Sequence, residues 1–90
     1  MPMNIKVEPH ANEQAEKRGV KRGEIEDVLR TGKKVTAKYG RLAKEKTFPF
    51  QSRWQGKHYP QKRVRVVYVV EADMMVAITV FAFYGEWGET

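Results

Sequence analysis

The sequence predicts an α+β domain in which two short N-terminal helices pack on a curled antiparallel sheet of three to five strands. Helical spacing and helix-end residues fill the stretch from Pro9 to Gly32. Two strong β patterns follow, at Arg63–Val70 and Val76–Phe83. All the helical signal precedes those strands, the order of a helix layer laid on an antiparallel sheet. The 90 residues, 41% hydrophobic and 31% charged, read as one globular domain over residues 1–90 with a single small core.

Met3 to Val7 reads as a short strand or an arm. Pro9 suits the first turn of a helix, where its missing N–H has no partner anyway, and the first helix runs from there to about Arg18 and stops at Gly19. Its inward face is odd. Only Ala11 and Ala15 are apolar, whereas His10, Gln14 and Arg18 fall at i, i+4 and i+8 and share one face. In GEIEDVLRTG, Ile25, Val28 and Leu29 form the apolar stripe of a second helix. Acids lead it, Arg30 closes it in accord with the helix dipole, and Gly32 ends it.

Lys34–Tyr39 and Leu42–Trp54 are mixed in character, and Pro49 implies an edge strand or a bulge. Gly56 marks a turn in WQGKHYP. In RVRVVYVV, Val64, Val66, Tyr68 and Val70 share one strand face, with Arg63, Arg65, Val67 and Val69 on the other. EADMM turns the chain into VAITVFAF. Both strands become apolar on both faces along their length, which makes them central, one face lying under the helices. Val64, Val66, Val76, Ile78 and Val80 are expected to pack on Ile25, Val28 and Leu29.

The net charge of +6 is concentrated in the middle of the chain. From Arg30 to Arg65 there are twelve Lys and Arg and one acid, Glu45, whereas Val66 to Thr90 holds four acids and no basic residue. Such a field attracts polyanions, chiefly nucleic acid or an acidic protein. There is no cysteine, so neither a disulfide framework nor a thiolate metal site can form. The N-terminus lacks an apolar run of signal-peptide length, and the longest apolar run, Met74–Ala82, is interrupted by Thr79 and too short to span a bilayer. A cytoplasmic protein without membrane association is expected.

His10 and His58 are the only histidines and form no ligand-spaced pair, and no Gly-rich loop matches a phosphate or dinucleotide fingerprint. No metal or cofactor is expected. The remaining signal is the basic belt interleaved with rings, from which Lys46, Arg53, Trp54, Lys57, His58, Tyr59, Lys62 and Arg63 are expected to contact RNA. In single-strand binding, cations hold phosphates while aromatics stack on unpaired bases. Phe48 and Phe50 read better as core, and for Trp54 and Tyr59 both roles stay open. His10, near a helix N-terminus that welcomes a phosphate, suits general acid–base work; the competing role is to cap the helix.

The order H-A-x-x-x-x-x-x-R-G-V, then E-I-E-x-V-L-x-x-G, then a basic hairpin and V-R-V-V-Y…I-T-V, resembles a small domain family of unknown function related to the RelE and BrnT toxins of bacterial toxin–antitoxin pairs. The resemblance runs from about His10 to Tyr84. It implies the barnase/EndoU/colicin/RelE type of fold, metal-independent cleavage of RNA, either free or ribosome-associated, and an acidic antitoxin partner. His10-Ala11, Arg18-Gly19-Val20 and Thr79 match the family's positions, whereas its arginine four residues after the histidine is Gln14 here. If the row His10, Gln14 and Arg18 rims a polar cleft over the sheet, with Arg63, Arg65 and Thr79 as its opposite wall, the expected catalytic set is His10, Arg18, Arg65 and Thr79. The alternative is a non-catalytic RNA-binding or partner-binding module of the same fold.

Overall fold

The structure, a computed structural model, describes residues 4–88. Its elements are β1 (Asn4–Val7), α1 (Pro9–Lys17), α2 (Arg22–Thr31), β2 (Lys33–Val35), β3 (Leu42–Trp54), β4 (Lys57–Glu71) and β5 (Met74–Gly85). The five strands form one sheet in the order β1-β5-β4-β3-β2. The expected α+β architecture holds, with one correction. The sheet is mixed, because β1 runs parallel to β5 while every other pair is antiparallel. A parallel neighbour needs a long connection, which the helices and three strands between β1 and β5 supply. Met3, included in the expected first strand, lies outside the described residues.

The inner face of the sheet carries the core. Val64, Val66 and Tyr68 of β4 and Met75, Ala77 and Val80 of β5 pack with Ile25, Val28 and Leu29 of α2 and Ala11 and Ala15 of α1. Small alanines let α1 sit close on β5, whereas α2 lies over β3 and β4. Gly19 closes α1 at φ +73°, and a Cβ there would stand 2.6 Å from Trp54 Cζ3 and 2.8 Å from the Tyr84 hydroxyl. Both the backbone conformation and the close approach require glycine.

The polar row of α1 meets the backbone of β5. Pairing with β1 ends at Ala77, and the Glu8 N–H adds a last bond to the Ala77 carbonyl at 3.0 Å. Beyond it, Gln14 Oε1 accepts the Val80 N–H at 3.0 Å, and the Arg18 guanidinium donates to the Val80 carbonyl at 3.1 Å. Two side chains thus do for Val80 what a neighbouring strand would do, at a half-buried edge where unpaired backbone groups are costly.

Strict alternation fails in β5. Tyr68 pairs with Ala77 and Val67 with Thr79, so Ile78 is an extra, bulged residue. The bulge reverses the phase, turning Val80 inward and Thr79 outward. Ile78 is therefore half-buried rather than core, and Val76, although buried, shares the outer side with its partner Val69. A second bulge follows Pro49, where, among the described residues, β3 has no strand on its far side. The β3–β4 hairpin turns on Gln55 and Gly56, both at positive φ (52° and 84°), a two-residue turn matched to strand twist.

Removing the Ile25 side chain leaves a cavity between α2 and the sheet, so Ile25→Ala should cost about 2–5 kcal/mol. Ile78→Ala should cost clearly less, and paired urea midpoints check the order.

Candidate nucleic-acid interface

The twelve cations of the belt do not form one surface. Because β3 runs the length of the sheet, residues at its two ends stand at opposite ends of a molecule 41 Å long. Alternation then divides the cations between the two faces.

On the inner face the ammonium groups of β3 and β4 are answered. Lys62 is 4% exposed, and its Nζ donates to Glu24 Oε1 at 2.8 Å and to the Gly19 carbonyl at 2.9 Å. The expected RNA contact by Lys62 is corrected. It lies two residues before Val64 on the inward phase that Val64 and Val66 share, and its charge fastens the start of α2 to the sheet. The same Glu24 oxygen accepts the Lys21 N–H at 2.9 Å, closing the helix start. Lys46 reaches Asp27 at 2.9 Å and Thr31 Oγ1 at 2.9 Å. The hydrogen bonds from Lys46 and Thr31 hold the Asp27 carboxyl below its ordinary value.

At the far end, Trp54 stacks on Tyr84 with ring centroids 4.9 Å apart, and Phe50 and Tyr59 meet the same tyrosine at 5.1 and 5.7 Å. One face of Trp54 is thus occupied from within. These rings form a satellite core that anchors the hairpin against Gly19. Arg53, Lys57 and His58 remain exposed at the hairpin tip, with Arg53 bonded to the Gly56 carbonyl at 3.1 Å.

The outer face carries a lattice of charge and rings. Arg65 donates to Glu45 at 2.9 and 2.7 Å, and Arg63 donates to Thr47 Oγ1 at 2.9 Å and stands 3.8 Å from Glu45. The Arg65 guanidinium lies over Phe83, and that of Arg63 lies 4.3 Å from the ring centroid of Trp87. Two arginines share one carboxylate, so this face keeps a positive balance.

A groove of about 320 Å³ opens on this face beneath the β2–β3 loop. Ala43, Val67, Thr79 and Phe81 form its floor, Arg65 one side, and Lys38, Tyr39 and Arg41 the overhanging loop. The Tyr39 ring is 89% exposed. Of the expected catalytic set, Arg65 and Thr79 line this groove. Arg18 borders it, its guanidinium lying over the Phe81 ring at 5.6 Å. His10 is exposed on α1 and is not among the groove's lining residues. A second cleft, about 560 Å³, lies where α2 gives way to β2, lined by Thr31, Gly32, Lys33, Glu45, Lys46, Thr47 and Arg63. Among the described residues no three His, Asp or Glu side chains cluster as metal ligands. No helix among them is long and apolar enough to cross a membrane.

The residues missed in sequence are Lys33, Arg41 and Phe81, whereas Lys38 and Tyr39 were legible as a cation–ring pair of the belt but were not among the expected contacts. Their signal was present. No acid stands between Arg30 and Arg41, and among the described residues none of the cations in that stretch has an ion-pair partner. The model of a family described as a domain of unknown function, DUF4258, matches residues 7–82, and the chain belongs to that family. No curated protein and no solved structure matches it.

Tyr84 gives this region a pH signature. Burial, with Glu24 adding to it, pushes the phenol from 10.0 up to about 12, and its hydroxyl donates to the Arg18 carbonyl. The folded state thus keeps a proton that the unfolded state releases. The stabilisation is complete below pH 10 and is lost as pH rises toward about 12. Unfolding followed across that window should show a steeper loss for the wild type than for Tyr84→Phe.

Proposed function

We propose that this DUF4258 protein binds single-stranded RNA in the outer-face groove. The observation that carries the reading is the groove's lining, an exposed Tyr39 ring beside Lys38 and Arg41, over a floor that holds Phe81 and Thr79 and a side that holds Arg65. Cations hold successive phosphates, while rings that keep an open face stack on unpaired bases. Among the described residues, the belt cations without an acid partner are Arg30, Lys33, Lys34, Lys38, Arg41 and Lys44 at this end and only Arg53 and Lys57 at the hairpin tip, which raises the local concentration of a polyanion here.

A second reading is metal-independent cleavage of that RNA, as in the toxins the sequence resembles, with a RelE-like fold, ribosome-associated RNA as substrate and an acidic antitoxin-like protein as partner. It is favoured by Arg65 and Thr79 lining one groove that Arg18 borders across Phe81. In cleavage a base takes the 2′-hydroxyl proton, cations stabilise the crowded phosphorus and an acid protonates the leaving oxygen. Arg18 and Arg65 are the cations of this scheme and Thr79 an orienting hydroxyl. His10, exposed on α1 outside the groove's lining, is the one side chain of the α1 row suited to carrying a proton, so this scheme requires the RNA to extend past Arg18 to reach it.

A fluorescent single-stranded RNA titrated at several salt concentrations tests the first reading. With six phosphate contacts, affinity should fall by about a thousandfold between 50 and 200 mM salt. Tyr39→Ala should weaken binding by about 5- to 150-fold, the loss of one stacked base. Absence of binding at low salt contradicts both readings. For cleavage, RNA incubated with chelator should still be cut, and His10→Ala should slow cutting by about a hundredfold with binding unchanged. An intact substrate that is nonetheless bound leaves the binding reading alone.

A further inference from the structure

The cleft between α2 and β3 gathers donors that the fold leaves wholly or partly unused. Backbone geometry places the first. The Val80 N–H and carbonyl face α1, hence away from β4. Alternation along the paired strands then turns the backbone groups of Val64 and Val66 toward β3, and those of Glu45 and Thr47 toward the far side of β3. Glu45 meets Lys33 of β2 there, but β2 does not extend to Thr47. Among the described residues, the Thr47 amide therefore opens at an unpaired edge beside the cleft.

The second donor is the Thr47 hydroxyl. Its oxygen accepts from Arg63 Nε at 2.9 Å, which leaves its own proton to give. Lys33, exposed and without an acid partner among the described residues, stands on the near wall, with Arg63 on the other. Glu45 also lines the cleft, but its carboxylate is held by Arg65 at 2.7 Å, with Arg63 at 3.8 Å. A backbone N–H, a hydroxyl and two cations around one opening are the donor set that phosphate oxygens use.

We infer that this cleft is a second phosphate subsite, and that the RNA runs from the groove across the outer face to Thr47. The path rests on the proposed binding in the groove. From Ala43 to Thr47 is four strand steps, or about 13 Å, so the site takes a strand longer than the groove alone would hold.

Trinucleotide and hexanucleotide oligouridylates, labelled and titrated against the whole chain, separate the two sites, with inorganic phosphate as an independent probe. The wild type should bind the hexanucleotide about a hundredfold more tightly, since the second contact is intramolecular. Lys33→Ala with Thr47→Val should remove that advantage, lower the salt slope by about 1 and leave trinucleotide binding unchanged. Inorganic phosphate should shift the Thr47 amide resonance in the wild type and not in the double variant. A hexanucleotide bound no more tightly, or equal losses at both lengths, overturns the subsite. If neither oligonucleotide binds while phosphate still moves Thr47, the subsite stands and the groove reading falls. If phosphate leaves Thr47 unmoved, the subsite falls.

Discussion

β5 is twelve residues long and its outer neighbour β1 only four, so among the described residues most of one side of a core strand has no strand beside it. The backbone at Val80 must find partners there, and α1 supplies them through Gln14 and Arg18. That requirement fixes where α1 lies. It explains why the helix carries a row of amide and guanidinium beside two alanines. The alanines permit the close approach at which a side chain can reach a strand edge, and the polar groups complete the hydrogen bonding there. Gly19 and Tyr84 follow from the same placement, since the turn after α1 must fit under Trp54 while its carbonyl at Arg18 accepts the Tyr84 hydroxyl.

The division of charge is the second consequence. With both helices on one face, cations that alternate inward are drawn into the fold's own contacts. Lys62 holds Glu24, Lys46 holds Asp27, and Lys44 donates to the Leu29 carbonyl at 2.8 Å. A buried lysine such as Lys62 is tolerable only because an acid and a carbonyl meet it, and removing one partner leaves an uncompensated charge. The cations of β2, of the loop after it and of the outer face have no such duty, apart from the pair that shares Glu45. The electrostatics of the molecule therefore point away from the helices.

Much of this was legible in the sequence. The two helices, the long β4 and β5 strands, the Pro49 irregularity and the inward set Val64, Val66, Ile25, Val28 and Leu29 follow from periodicity and breaker residues. Lys62 was legible too, since it falls in phase with Val64. Reading the belt as a contiguous run concealed it. The Ile78 bulge was not legible, because VAITVFAF alternates acceptably in either phase and only pairing with β4 selects one. Nor was the parallel pairing of β1, a choice made by the edge of a sheet assembled from residues far along the chain. For the candidate site, residue types were readable but their grouping was not. A hairpin as long as β3–β4 sends Arg53, Lys57 and His58 to one end and Lys38, Tyr39 and Arg41 to the other.

The central claim is that nucleic acid meets the outer face at the β2 end. The most direct measurement is a map of backbone amide resonances during titration with a short single-stranded RNA. Perturbations concentrated at Lys38, Tyr39, Arg41, Arg65, Thr79 and Phe81, with the hairpin tip unmoved, are the predicted result. Perturbations confined to Arg53, Lys57 and His58 would contradict it.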